Sequence, residues 1–119
     1  LLSSNIKLAS QSTVTQILRI LLEEHLIQGQ FSCAVLAKAL NMSEKTLQRR
    51  LAKEGTNFSK ELALLRKQKS VSLLTETDLS LTEIAFLCGY SELSAFHHAF
   101  NRWYGVSPKV YREQMIALA

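Results

Sequence analysis

Residues 43–53 read SEKTLQRRLAK, and this stretch decides the fold. Ser43 is placed to cap a helix, because its hydroxyl can accept from an amide that has no carbonyl partner in the first turn. Leu47 and Leu51 lie four apart and point the same way, toward a core. At about 100° per residue, Lys45 and Arg49 fall on the opposite side, with Gln48 on the flank. Two cations and an amide on one exposed face can reach base edges, Arg or Lys toward guanine and Gln toward adenine. A charged outer face is also the default for any surface helix, so this stretch alone leaves a plain solvated face as the alternative.

The chain repeats the plan. Residues 36–43 read LAKALNMS and residues 84–91 read IAFLCGYS, an offset of 48 (91 − 43). Beyond that point the second copy carries one extra residue, and Leu47 and Leu51 match Phe96 and Phe100 at an offset of 49 (96 − 47, 100 − 51). The outward pair Lys45 and Arg49 then matches Ser94 and His98. Each copy is a helix, a short turn and a second helix, the plan whose second helix enters the DNA major groove.

A chain of 119 residues holds one domain with a real core, or two small packed subdomains. Its 47% hydrophobic and 20% charged content is that of a globular chain and not of a disordered one. A net charge of +4 suits an anionic partner, but so modest an excess matters only through where it lies. Cys33 and Cys88 make neither a secreted disulfide framework nor a zinc site. Each sits in an apolar helical pattern, and both are expected as reduced core thiols of a cytoplasmic protein. No apolar run approaches the roughly 18 residues that span a bilayer, and no signal-peptide pattern opens the chain. The first residue is Leu and not Met, within a polar stretch, so a domain cut from a longer protein is expected.

Read in order, the chain is all-α, with about seven helices and no sheet. Residues 1–12 form a tether, 13–57 a first helix-turn-helix subdomain, 58–76 a linker helix and 77–119 a second subdomain. From Thr13 to Gln28 the set Val14, Ile17, Leu18, Leu21 and Leu22 repeats at helical spacing, and Gly29 stops it. His25, near that end, favours the helix dipole as a cation and has no metal or catalytic partner in the sequence. Ser32 caps the helix over Cys33–Leu40, Asn41 makes the turn and Gly55 ends the basic helix. From Phe58 to about Leu74, Phe58, Leu62, Leu65 and Leu73 face inward. Lys60, Arg66, Lys67 and Lys69 face outward, toward solvent or DNA phosphates. Ser80-Leu-Thr-Glu83 is a capping box. Ile84, Ala85 and Cys88 are inward, Gly89 supplies the second turn, and Ser91 caps the second reading helix. There Phe96, Ala99, Phe100 and Trp103 form the buried stripe. Ser94, His98, Asn101 and Arg102 face out, with His97 on the flank. Gly105 ends this helix as Gly55 ends the first. Ser107-Pro108 starts the last, with Pro at its favoured first position, and Val110, Tyr111 and Met115 pack back onto the second copy.

Residues 81–112, LTEIAFLCGYSELSAFHHAFNRWYGVSPKVYR, resemble the signature of the DNA-binding domain of the AraC/XylS family of bacterial transcription regulators. The resemblance is carried by Ile84-Ala85, Gly89-Tyr90, Ser94, Phe96, Phe100, Trp103, Gly105, Ser107-Pro108 and Tyr111-Arg112. LAKALNMSEKTLQRRLAKEGTNF resembles the matching part of the first copy, and together the two cover about residues 32–112. The resemblance implies two helix-turn-helix subdomains joined by a linker helix, reading double-stranded DNA in successive major grooves. It implies Lys45, Gln48 and Arg49 as base readers of the first copy, and Ser94, His97 and His98 at the reading positions of the second. Ser43, Arg50, Lys53, Ser91, Asn101 and Arg102 stand beside them as candidates for holding phosphates. It also implies contact with RNA polymerase and a separate N-terminal effector or dimerisation domain. The chain departs from the family at His98, where Arg is common; a neutral His makes a weaker, pH-dependent contact. His97 and His98 make no metal site, because neighbours on a helix diverge by about 100°.

Two reading helices on one face of DNA must sit about one turn apart, or roughly 34 Å, unless the duplex bends. The alternative is a helical protein-interaction module that kept the fold without specific DNA binding. An enzyme is excluded, since no nucleophile–base pair, metal cluster or Gly-rich phosphate loop has supporting spacing. No cofactor is called for.

Overall fold

The computed structural model describes residues 13–118. Among these, seven helices follow one another and no strand occurs: α1 Val14–Ile27, α2 Cys33–Ala39, α3 Glu44–Lys53, α4 Phe58–Glu76, α5 Leu81–Leu87, α6 Leu93–Tyr104 and α7 Pro108–Leu118. The all-α expectation holds; the tether proposed for residues 1–12 lies outside the described residues. The chain divides into two compact units, one ending at Ala63 and one beginning at Leu64.

The first unit gathers α1, α2 and α3 around one seam. Leu18, Leu22 and Leu26 of α1, Leu36 and Ala37 of α2, and Leu47 and Leu51 of α3 are all buried. Each fully buried leucine contributes about 1.5–3 kcal/mol relative to exposure, so these side chains hold the unit together. Local chemistry places the ends. Thr13 caps α1 in a box with Gln16, Ser32 caps α2, and Ser43 caps α3 through a bond from the Thr46 amide at 3.1 Å. Asn41, at φ +57, turns the chain between α2 and α3. Its amide and that of Met42 donate back to Lys38 and Ala37 at 3.0 and 2.9 Å, which satisfies two end carbonyls of α2. Cys33 is half-buried rather than a core thiol, because the first position of α2 lies at the rim of this unit.

The second unit repeats the arrangement with α5 and α6, and adds α7. Its core holds Leu74, Ile84, Ala85, Cys88, Phe96 and Phe100. Tyr104 and Tyr111 stand 4.8 and 5.3 Å from Phe100, ring centre to ring centre, and Trp103 lies 6.3 Å away. Burial pushes the Cys88 thiol up to about 11, so it stays protonated and inert. The Ser80–Glu83 capping box forms as expected. Ser107 caps α7 with Pro108 in its first turn, and Tyr111 packs inward, but Val110 is exposed.

Three further expectations are corrected. Ser91 does not cap α6: the cap position is Glu92, whose side chain makes no capping bond. The extra residue of the second copy falls at this point and pushes Ser91 out of the cap. Gly105 ends α6 through a single bond from its own amide to the Asn101 carbonyl at 2.8 Å, whereas Gly55 ends α3 with the two-bond pattern. On α4, Arg66 and Lys67 are not outward-facing. Arg66 donates to two backbone carbonyls, and Lys67 lies 5.1 Å over the Tyr104 ring. Phe58, Leu62, Leu65 and Leu73 are half-buried, Leu73 packed against the second core, while the fully buried positions of α4 are Glu61, Ser70 and Leu74. Glu61 serves the first unit, accepting from Arg19 and from Thr56 at 2.7 Å.

Candidate nucleic-acid interface

The outer face of α3 is the most concentrated basic surface of the described chain. Leu47 and Leu51 fix its rotation, since both must stay in the core. Lys45, Gln48 and Arg49 are then exposed together, Arg49 almost opposite the buried seam at about 100° per residue. Arg50 and Lys53 are exposed further round the helix, where their charge also suits its C-terminal end. Over Glu44–Lys53 four cations face one anion, a net +3 (4 − 1). The Arg19–Glu61 ion pair involves none of these four cations. Gln48 has a weak partner, its Nε2 standing 3.9 Å from the Cys33 sulfur. That contact leaves the amide free to exchange one soft acceptor for a base edge.

The end of α3 is tied down. Glu54 accepts from the Val14 and Thr15 amides at 3.1 and 2.8 Å and from the Thr15 hydroxyl, so the residue after α3 supplies acceptors to the first turn of α1. The Thr15 bonds hold its carboxyl below the usual carboxylate range. Neither the carboxylate nor its distant partners announce themselves in the sequence pattern.

On α6 the buried stripe is Phe96, Ala99 and Phe100 with Trp103 half-buried beside it. Ser94, His98, Asn101 and Arg102 are exposed on the remaining surface, and Ser91 is exposed in the turn. His97 differs from its expected companions. Its ring is half-buried and meets Phe96 edge-on at 6.5 Å, and its Nε2 is enclosed without a hydrogen-bond partner. Over Leu93–Tyr104 the only formal charge is Arg102. The second face therefore offers hydroxyl, imidazole and amide groups with one cation, against four cations and an amide on the first.

Two arginines, one of them expected to face solvent or DNA phosphates, support this second half from within. Arg66 donates to the Cys88 and Gly89 carbonyls at the α5–α6 turn. Arg112 donates to Leu74, Leu79, Leu73 and Thr77 carbonyls at 3.0, 2.7, 3.4 and 3.3 Å, closing the C-terminal end of α4 and the segment after it. Among the described residues no group of three or more His, Cys, Asp or Glu could hold a metal ion, and no helix is long and apolar enough to cross a membrane.

Comparison with known proteins agrees with this geometry. Residues 36–114 match the helix-turn-helix domain family. An uncharacterised HTH-type transcriptional regulator of Mycobacterium bovis is 45% identical over 76 residues, which are 64% of this chain and 22% of that protein. The DNA-binding dual transcriptional regulator Rns of Escherichia coli is 36% identical over 107 residues, 90% of this chain and 40% of Rns. The chain thus spans less than half the length of these curated relatives. Among solved structures, the DNA-binding domain of the global transcriptional factor AdpA, in complex with a target DNA, superposes with a TM-score of 0.77 at 30% identity, covering 89% of this chain and 96% of that one. The matched span holds both repeats, with α3 and α6, and the chain belongs to the AraC/XylS type of helix-turn-helix DNA-binding domains of transcription regulators.

Proposed function

We infer that this chain is the sequence-reading part of a bacterial transcription regulator, and that α3 and α6 each enter a major groove of double-stranded DNA. The observation that carries the reading is the outer face of α3: Lys45, Gln48 and Arg49 exposed together at helical spacing, with Arg50 and Lys53 beside them. Lys45, Gln48 and Arg49 take the base edges, and Ser43, Arg50 and Lys53 take phosphates. On α6, Ser94 and His98 are the base readers, His97 supports them from its half-buried place, and Ser91, Asn101 and Arg102 hold backbone. The same reading includes contact with RNA polymerase and an effector or dimerisation domain elsewhere in the full protein. Those two parts rest on the family resemblance alone.

Selection of bound sites from random duplex DNA by this chain tests the reading. The expected result is an enriched motif covering roughly two helical turns. Arg49→Ala is expected to cost about 1–3 kcal/mol on that motif and to relax discrimination at one position. Equal loss on every sequence would move Arg49 from base reading to phosphate binding. No enrichment, with only weak salt-dependent binding, would overturn sequence reading by this chain.

A further inference from the structure

The two subdomains secure their reading helices by different means. In the first, Ser43 pins the start of α3 through the Thr46 amide. In the second, Glu92 occupies the cap position and makes no such bond, so the entry into α6 is not fixed by its own cap. Arg66 stands where the missing restraint is needed. Its Nε donates to the Cys88 carbonyl at 2.9 Å and its Nη2 to the Gly89 carbonyl at 3.1 Å. Its guanidinium lies 4.3 Å from the centre of the Tyr90 ring, and that ring meets Phe96 of α6 at 5.7 Å.

Cys88 caps the C-terminal end of α5, and Gly89, at φ +85, is the turn. Their carbonyls sit at the negative end of a helix and lack intrahelical donors, so a cation is favoured there. Only a planar fork can hold two such acceptors and stack on a ring with the same group; an ammonium is a point charge and cannot do both. Among the described residues, the position of the first subdomain that corresponds to Arg66 carries no such donor. Leu18 stands 48 residues before Arg66 (66 − 18), is wholly buried, and brings no donor to the Asn41 turn.

We propose that Arg66 is a positioning residue for sequence reading by α6. By gripping Cys88, Gly89 and Tyr90 it fixes the angle at which α5 hands the chain to α6, and so where Ser94 and His98 meet base edges. This rests on the reading of α6 as a base-contacting helix. Hydrogen bonds weaken steeply as they are misaligned, so a small rotation of α6 removes discrimination while leaving the fold and its phosphate contacts in place.

The test compares the affinity penalty for single base changes in the two half-sites, for the natural chain and for Arg66→Lys. A good base contact discriminates by roughly 5- to 150-fold. In Arg66→Lys the penalties in the half-site under α6 are expected to fall to about twofold or less, while those under α3 stay within about twofold of the natural chain. A merely structural Arg66 would lower the folded fraction and weaken all sequences equally, leaving both sets of penalties unchanged. That result overturns the proposal, as does a parallel fall in both half-sites. Adding Glu92→Asp, which supplies the missing cap, is expected to restore part of the lost discrimination. Should Arg66→Lys lose cooperative unfolding, Tyr90→Leu removes the ring and leaves the two carbonyl bonds. It is expected to lower the α6 penalties by a smaller factor, and no change there would also overturn the proposal. A natural chain with no penalties under α6 would instead sink the reading of that helix, and the role of Arg66 with it.

Discussion

Glu54 belongs to two helices at once, following α3 and supplying acceptors to α1. Its carboxyl is held low by Thr15, and that of Glu61 is held low first by Arg19. A carboxyl lowered by folding contributes stability that is present above its unfolded pKa, about 4.3 for Glu, and lost as pH falls through its folded value. The first subdomain is therefore expected to weaken as pH drops below about 4.3, and Glu54→Gln is expected to flatten that fall. Because Glu54 is exposed, its share is modest, below about 1 kcal/mol. Urea midpoints at neutral pH and at successively lower pH read it directly; an identical acid loss in both chains would show that Glu54 does not contribute. At this scale the sequence was legible where neighbours decide. Lys45, Gln48 and Arg49 follow from the helical period because Leu47 and Leu51 are a turn apart. Glu54, Arg66 and Arg112 were not, since their partners lie 40, 22 and 38 residues away. Apart from the Thr15 hydroxyl, those partners are backbone groups, which leave no trace in a side-chain pattern.

Helix ends were legible for the same reason as the α3 face: a cap is a contract between residues three apart. Ser32, Ser43 and Ser80 cap as expected, and Gly29, Asn41, Gly55 and Gly89 carry the positive φ that stops the preceding helix. The start of α6 was misread because the repeat aligns Ser43 with Ser91 on one side of a one-residue insertion and Leu47 with Phe96 on the other. Periodicity could not say on which side the helix begins. The packing of Phe96 and Phe100 settles it, and the cost is an uncapped first turn. Glu92→Asp is accordingly expected to stabilise the chain by about 1 kcal/mol, since Asp at the cap position accepts from the first-turn amides and keeps the favourable charge. A raised urea midpoint with an unchanged slope would bear this out; no shift would mean that the first turn of α6 is already satisfied by water. The linker helix was legible as a helix but not in its facing. It serves one core through Glu61 and another through Ser70 and Leu74, so no single apolar stripe runs along it.

Across the whole molecule the two repeats share a plan but not a charge. The net +3 of α3 stands against +1 for α6, whose only formal charge is Arg102. The other arginines of the second half, Arg66 and Arg112, are committed to backbone carbonyls. On the proposed reading the cations serve two tasks: those of α3, with Arg102, meet an external polyanion, while Arg66 and Arg112 hold internal carbonyls. Overall charge hides this division, because +4 is the same sum however the cations are used. Salt dependence of DNA binding exposes it. Removing one phosphate-binding cation reduces the slope of log affinity against log salt by about 1. Arg50→Ala with Lys53→Ala is expected to reduce the slope by about 2, Arg102→Ala by about 1, and Arg112→Lys by nothing while lowering the urea midpoint. Fluorescence titrations of a fixed duplex at several salt concentrations measure all three. A fall in slope for Arg112→Lys as large as that for Arg102→Ala would mean that the internal cations also face DNA, and the division of labour between the repeats would be wrong.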